Sequence, residues 1–502
     1  MIYPIPTIHM RKHSIKNAFI LFTIVWTMTI AACSKKGSSG SSPVTPTPPV
    51  TPPVDVKSDV AMWLTRGDQT ALLAKQNIAL NFTADDNSNT SIVVDPTSTY
   101  QTIDGFGFCL TGGSASVINS LPPDKKDDLL KELFLIDGTH IGISYLRISI
   151  GASDLSADDF TYDDIATGTD ENLEHFNIDK ERTDLIPVLK SIIALNPQIK
   201  ILACPWTAPV WMKINTLGNN GFTGGSLNTA YYAAYARYFV KYIQAMKAEG
   251  ITIDAVTPQN EPLNPNNNPA MVMQAGEEAN FVKNNLGPQL NAAGLNVKII
   301  VWDHNADRPE YPIAILNDPA ANPYVDGSAF HLYNGNINAL TTVHDAFPAK
   351  NLYFTEQYTP STGSFAGDLN WHLTNLIIGA PRNWSRNVLE WNMATDAGFG
   401  PHTDGGCSVC QGALTISGGT VNRNVSYYII AHASKFVRPG AVRIASSQLS
   451  QTPNVAFKNT DGSKVLIVFN TQGSDVTFNI KINGKIAATT LPGGAAATYV
   501  WN

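Results

Sequence analysis

Ala255-Val-Thr-Pro-Gln-Asn-Glu-Pro262 is the stretch from which the fold is read. The largely apolar run 251–256 has the pattern of a buried strand. It stops abruptly at Pro258, and Asn260, Glu261 and Pro262 follow. Packing explains poorly why a carboxylate with an amide before it should stand just past a buried strand. Glu is seldom buried unless paired, and burial raises its pKa towards the value a general acid needs. A second run has the same form: Asn351-Leu-Tyr-Phe-Thr-Glu356-Gln-Tyr358. Either Glu alone could cap a following helix or sit in a solvated loop. Two strand-end Glu residues on one scaffold instead suggest the paired carboxylates of a glycosidase.

Working outward, apolar strand patterns recur at 102–106, 143–148, 200–203, 255–257, 297–302, 327–330, 352–355 and 387–391. Helical patterns separate them, the clearest at 124–134, 182–195, 229–249 and 277–291. Eight strands alternating with helices predict a (β/α)8 TIM barrel spanning 101–436, with its active site at the strand C-terminal ends. The groups at those ends are Arg147, Trp206, Asn260 with Glu261, Trp302 with Asp303, His331 with Tyr333, Glu356, and Trp391 with Asn392. Each can stack on a sugar ring or hydrogen-bond it.

After the barrel, a helical stretch 424–436 leads into strand patterns at 442–444, 454–458, 465–470, 476–482 and 496–501. Asp461-Gly462, Asn483-Gly484 and Pro492-Gly493-Gly494 break them, as in an antiparallel β domain. Earlier strand patterns at 59–64, 78–82 and 91–94, the last ended by Asp95-Pro96, have no other partner. Residues 58–100 and 437–502 are therefore expected to form one side β-sandwich, with the barrel inserted between its halves.

The N-terminus carries Arg11, Lys12 and Lys16, then an apolar stretch 18–30 too short for a comfortable membrane span. It ends in Ile30-Ala31-Ala32-Cys33, which resembles a bacterial lipoprotein signal with Cys33 as the lipidated first residue of the mature protein. The other reading is an ordinary cleaved signal with an incidental Cys. No Asp follows Cys33, so an outer-membrane location is expected, with 1–33 as signal and 34–57 as a Gly/Ser/Pro-rich tether. Among the five Cys, Cys109 and Cys204 sit in apolar strand settings as buried thiols. Cys407 and Cys410 form a Cys-x-x-Cys in a Gly-rich loop. With no second pair for zinc and no thioredoxin-like context, a small disulfide is the expected reading. The chain of 502 residues has a net charge of −7, 15% charged and 43% hydrophobic residues, and no basic block beyond the N-terminus. A globular protein with no nucleic-acid partner follows.

With these residues in view, the chain resembles glycoside hydrolase family 30, which includes the lysosomal glucosylceramidases. Asp104-Gly-Phe-Gly107, Pro205-Trp-Thr-Ala-Pro-Val-Trp211, Ala236-Arg-Tyr-Phe-Val-Lys241, Pro258-Gln-Asn-Glu-Pro262, His331-Leu-Tyr333, Phe354-Thr-Glu356 and His432-Ala-Ser-Lys-Phe436 carry the resemblance, in the family's order. It implies a retaining mechanism without cofactor or metal, with Glu261 as general acid/base and Glu356 as nucleophile. It further implies Asn260 at the sugar 2-OH and Trp206 and Trp391 around the −1 subsite. His331 and Tyr333 would orient the nucleophile side, and Arg147 would keep Glu356 ionised or, equally, serve as a barrel-floor ion pair. The chain departs from glucosylceramidases at Gly112, where they carry a sugar-binding Asp. Removing that carboxylate would open a cleft to a glucan chain, as in the family's β-1,6-glucanases. The expected function is therefore a surface-tethered, monomeric endo-β-1,6-glucanase acting on β-glucan. The alternatives are an exo-acting β-glucosidase, glucosylceramidase or β-xylosidase, and, from another class, a non-catalytic carbohydrate-binding lipoprotein.

Overall fold

Eight parallel strands close a barrel in the computed structural model, which describes residues 56–502. The expected signal peptide, Cys33 and nearly all of the tether lie outside the described residues. In chain order the barrel strands are Gly105–Cys109, Tyr145–Ser149, Lys200–Cys204, Ala255–Val256, Lys298–Ala306, Val325–Gly335, Asn351–Glu356 and Ser385–Asn392. All eight expected strands are present, shifted by a few residues. The fourth is shorter than the run 251–256 suggested, because only Ala255–Val256 pairs on both sides.

The barrel interior explains how the site is raised. Tyr145, Leu202, Ala255, Ile300, Ala329, Tyr353 and Leu389 form a buried plug, one residue from each of seven strands. The first strand contributes Gly107 in register with Tyr145 and Leu389. A Cβ at Gly107 would stand 1.9 Å from the Tyr145 carbonyl oxygen, so only glycine fits against the neighbouring strand's backbone. Side chains alternate along a strand. The inward residues two positions further on are therefore Cys109, Arg147, Cys204, Thr257, His331, Thr355 and Trp391. An apolar plug carries a polar layer directly above it.

The side domain is a nine-stranded sheet taken from both ends of the described chain. Its order is Ala74–Lys75, Ala61–Arg66, Ala495–Trp501, Lys464–Phe469, Asn454–Lys458, Val442–Ser446, Ser91–Thr102, Val476–Ile482 and Lys485–Leu491. Three expectations are corrected. Residues 78–82 run beside 58–60 but form no strand. Their amides are taken by side chains instead, Leu80 N–H by Ser58 Oγ at 2.9 Å and Phe82 N–H by Asp59 Oδ2 at 3.0 Å. Asp95-Pro96 does not end its strand, which continues to Thr102. The ladder shifts register there, and Asp95 Oδ1 accepts from the Thr97 amide at 2.9 Å, a bulge that tolerates a proline. Lys485–Leu491 is a strand the sequence did not reveal. Asn483 (φ 49°) and Gly484 (φ 77°) turn the chain tightly back onto Val476–Ile482, and Ala-Ala-Thr-Thr in the returning strand blurs its alternation.

His432, on the last barrel helix Val425–Ser434, pins both ends of the sandwich. Its Nδ1 is 2.8 Å from Thr498 Oγ1 and its Nε2 is 2.8 Å from Thr65 Oγ1. The Thr498 hydroxyl donates to the His432 carbonyl at 2.9 Å, so it accepts from Nδ1–H and leaves Nε2 to accept from Thr65. Trp63 packs on Phe436 beside it, ring centroids 4.6 Å apart. Burial pushes the imidazole down to about 3, so the folded ring is neutral. Below the ordinary pKa near ~6.5, the unfolded chain takes up a proton that the folded chain refuses. Stability is therefore lost as pH falls from there towards 3, by on the order of 4 kcal/mol from this residue. His432→Gln should lower stability at pH 7.5 but flatten the loss between pH 6.5 and 4 in urea unfolding. An unchanged pH slope would contradict the buried neutral ring.

Candidate active site

Arg147 lies at the centre of the polar layer with no exposed surface. Its Nη1 donates to Glu356 Oε2 at 2.6 Å, and its Nη2 to Asp303 Oδ2 at 2.8 Å and Asn260 Oδ1 at 2.7 Å. The guanidinium plane faces Trp206 at 4.7 Å and Trp391 at 5.8 Å. Asp303 accepts from every side: Arg147, Thr257 Oγ1 at 2.8 Å, Thr355 Oγ1 at 2.6 Å and His331 Nε2 at 3.2 Å. Burial works against its charge, but Arg147 and His331 hold the carboxyl well below the usual range. Asp303 reaches the barrel axis because the ladder slips between Trp302 and His304, with φ of 78° at Trp302 and 55° at Asp303. Glu261 is strained as well, φ 43°, and its N–H is tied to the Asp303 carbonyl at 3.0 Å. Sequence placed Asp303 at a strand end but gave no sign of this hub role.

Glu261 and Glu356 meet above that layer. Carboxylate oxygens of the two and a ring nitrogen of His331 lie within 4.8 Å of one another. His331 Nδ1 faces Glu261 Oε1 at 3.1 Å and Glu356 Oε1 at 3.7 Å. Tyr333 Oη donates to Glu356 Oε1 at 3.0 Å, and Asn264 Nδ2 to Glu261 Oε2 at 2.8 Å. A cavity of about 490 Å³ opens over the pair. Tyr333, Tyr358, Trp391, Asp154 and the Cys407–Cys410 bridge are among its walls. Of the expected sugar contacts, Tyr333 and Trp391 line this cavity. Arg147, His331, Asn260 and Trp206 lie beneath or behind it and act on the carboxylates or on each other. Trp302 is buried against Tyr311, ring centroids 4.4 Å apart.

Two electrostatic expectations are corrected. Burial does raise Glu261, but the hydrogen bond and charge of His331 prevail and bring it down to about 2. Glu356 ends above its ordinary value: burial raises it more than His331 and Arg147 lower it, and Glu261 adds to the rise. Arg147 thus acts in the expected direction without dominating. Burial lowers His331, yet Glu356, Asp303 and Glu261 push it up to about 9. The acidic proton nearest Glu261 is therefore on His331 Nδ1, and the three groups titrate as one unit.

The Gly112 expectation is also corrected. Gly112 opens the helix Gly112–Asn119, capped by Thr111, and does not line the cavity. A Cβ there would meet Ser156 Oγ at 3.1 Å, so the turn at 153–156 occupies the side that was expected to be open. Cys407 and Cys410 are disulfide-bonded, and Cys109 and Cys204 are buried free thiols. Sequence spacing showed no metal cluster, yet the fold gathers Glu261, His331 and Glu356, the single such group of three among the described residues. Both His331 nitrogens face carboxylates and the ring is protonated at neutral pH, so a cation already balances the site. A chelator should leave activity unchanged; loss restored by a divalent ion would oppose this.

The alkaline limb of kcat/KM should fall near pH 9, where the Glu261–His331 pair gives up its shared proton. His331 has its pKa raised by folding, so its ion pairs stabilise fully below the unfolded value and weaken as pH passes 9. In His331→Asn, Glu261 alone must hold the proton, and the limb should move at least one pH unit lower. A pH–rate profile with the limb unmoved would rule out the pairing.

Residues 103–437 match the Glycosyl hydrolase family 30 TIM-barrel domain, and 440–499 the Glycosyl hydrolase family 30 beta sandwich domain. An endo-1,6-beta-D-glucanase of Aspergillus fumigatus is 37% identical over 440 residues, covering 82% of this chain and 88% of that protein. Lysosomal acid glucosylceramidase of Mus musculus is 27% identical, covering 82% and 83%. A solved endo-beta1,6-glucanase superposes with a TM-score of 0.83 at 38% identity, covering 89% of this chain and 99% of that one. Barrel, sandwich and paired carboxylates thus come together in a chain that belongs to glycoside hydrolase family 30.

Proposed function

We propose that the chain is a retaining endo-β-1,6-glucanase. The carrying observation is the carboxylate pair: oxygens of Glu261 and Glu356 lie within 4.8 Å. Retaining enzymes hold their two carboxyl groups about 5–5.5 Å apart, whereas inverting ones leave about 6.5–9.5 Å for a water. Direct attack on the anomeric carbon is the chemistry that fits. The choice of β-1,6-glucan is supported by the glucanase relatives, at 35% to 37% identity over most of this chain. A non-catalytic binding protein would have no use for a strained Glu261 and a proton-bearing His331 aimed at it.

Glu356 attacks the anomeric carbon while Glu261 protonates the departing glycosidic oxygen. The bond to the leaving sugar breaks as the glycosyl ester forms. Arg147 and Tyr333 hold the nucleophile in position by two donated hydrogen bonds. Glu261, now a carboxylate, takes a proton from water as it attacks the ester and frees Glu356. His331, 3.1 Å away, supplies and buffers the proton of Glu261. Arg147 occupies the oxygen of Asn260, so the amide NH2 is the half free to meet the sugar 2-OH. Trp391 lines the sugar's site, and Trp206 stacks behind it, centroids 5.4 Å apart. A lipid anchor at Cys33 after Ile30-Ala31-Ala32, with the Gly/Ser/Pro tether, would place this domain as a monomer at the outer membrane.

On β-1,6-glucan the enzyme should release a ladder of oligosaccharides early, with the β-anomer formed first by NMR. Glu356→Gln and Glu261→Gln should each lower kcat at least about 10³-fold with an unchanged far-UV CD spectrum. Azide should accelerate Glu261→Ala through a β-glycosyl azide and give no retained product with Glu356→Gln. Wild-type kcat in either Gln variant would overturn the mechanism. Release of glucose alone from chain ends would make the enzyme exo-acting.

A further inference from the structure

The mechanism above leaves one buried carboxyl in the cavity wall unused. Asp154 is 6% exposed and lines the cavity with Glu261, Glu356 and Trp391. Its Oδ1 has no hydrogen-bond partner among the described residues. A buried acceptor left unmade costs about 1–3 kcal/mol. A carboxyl in a cavity wall with one oxygen unfilled is where a ligand's hydroxyl can complete the pairing.

The surroundings hold Asp154 rigidly and leave that oxygen out. Its carbonyl accepts from the Thr403 amide at 3.0 Å and from Thr403 Oγ1 at 3.3 Å. A Cβ at Gly406 would stand 2.3 Å from the same carbonyl, so the chain passes close to the turn because residue 406 has none. Leu155 accepts from the Gly113 amide at 2.8 Å, and Ser156 Oγ accepts from the Ser153 amide at 3.0 Å. The turn that covers Gly112 therefore also presents Asp154. The Cys407 backbone N–H favours its charged form but is outweighed. Burial, with Glu356 and Glu261, pushes the carboxyl up to about 8. At neutral pH it is an acid that can both donate to and accept from a hydroxyl.

Resting on the glycosidase reading, we propose that Asp154 binds a hydroxyl of the sugar held over Glu356, remote from its anomeric carbon, and so sets which sugar the site accepts. The donor set suits a neutral hexose hydroxyl. Glu261 and Glu356 beside it disfavour a uronate or phosphate.

Calorimetric binding of the glucose-shaped iminosugar 1-deoxynojirimycin, and of its forms lacking the 3-, 4- or 6-hydroxyl, reads this contact without turnover. Asp154→Ala should weaken the parent about 10- to 100-fold, and Asp154→Asn less. One deoxygenated form should bind wild type and Asp154→Ala alike, which a role confined to holding the Cys407 loop would not produce. Equal loss for every form, no loss at all, or no binding by wild type would each overturn the proposal. If Asp154→Ala fails to fold, as read by thermal melting, Asp154→Asn on the same panel decides between the same outcomes. Wild-type hydrolysis of β-1,6-glucan is scored separately. Its absence would remove the glucanase reading while the binding result still judges Asp154.

Discussion

The buried pair Arg147–Asp303 is the interaction on which the site depends. Two charges with no exposed surface are costly to desolvate, and their mutual attraction compensates only when the remaining donors and acceptors are also filled. Here they are largely filled: Asp303 takes hydroxyls from two strands and an imidazole from a third, while Arg147 spends its donors on Glu356 and Asn260. Removing one member would leave the other a buried charge short of its main partner, a loss that runs to about 3–5 kcal/mol where a buried pair is broken. The pair thus ties seven residues from five strands and their ends into one arrangement. Its geometry is stored in backbone that the residues would not choose, the positive φ values at Trp302, Asp303 and Glu261.

That arrangement also explains how two neighbouring carboxylates divide their roles. Both are buried and both are driven upward by desolvation. What separates them is the company each keeps. Glu356 has a guanidinium and a phenol, neither of which gives up its proton near neutrality. Glu261 has an imidazolium, which gives its proton up near pH 9 and is the most readily deprotonated of the three. The group with the transferable proton stands beside the carboxylate that must protonate the leaving oxygen. The fixed donors stand beside the one that must attack.

The barrel was legible because its strands are apolar, short and separated by amphipathic helices, and the two Glu residues stand out at strand ends. The eight strand positions, the disulfide and the union of N- and C-terminal strands all follow from those patterns. What could not be read depends on distance in space. Asp303 gained its position through a register slip, and Asp154 through a turn packed on a glycine helix start. Glu261 looked like an acid lifted by burial because His331, 70 residues further on, could not be seen beside it. Gly112 read as a missing wall because the chain that covers it comes from the next strand's loop. The lost strand and the gained strand of the sandwich have the same origin: Ser58 and Asp59 side chains imitate a ladder, and Ala-Ala-Thr-Thr hides the alternation of the other.

The side sheet has a bearing on the order in which the molecule can assemble. Ala61–Arg66 pairs locally with only the short Ala74–Lys75 and finds its full-length partner in Ala495–Trp501, while Ser91–Thr102 waits for Val442–Ser446. Closing so long a span costs entropy that grows only logarithmically with length, so the finished sheet is not weakened by its topology. Its kinetics are another matter, since distant pairings form late. During synthesis the first strands emerge with long edges that stay open until the last ones arrive, while the barrel between them can already fold. The latch at His432, which touches one strand from each end, can close only as the final step.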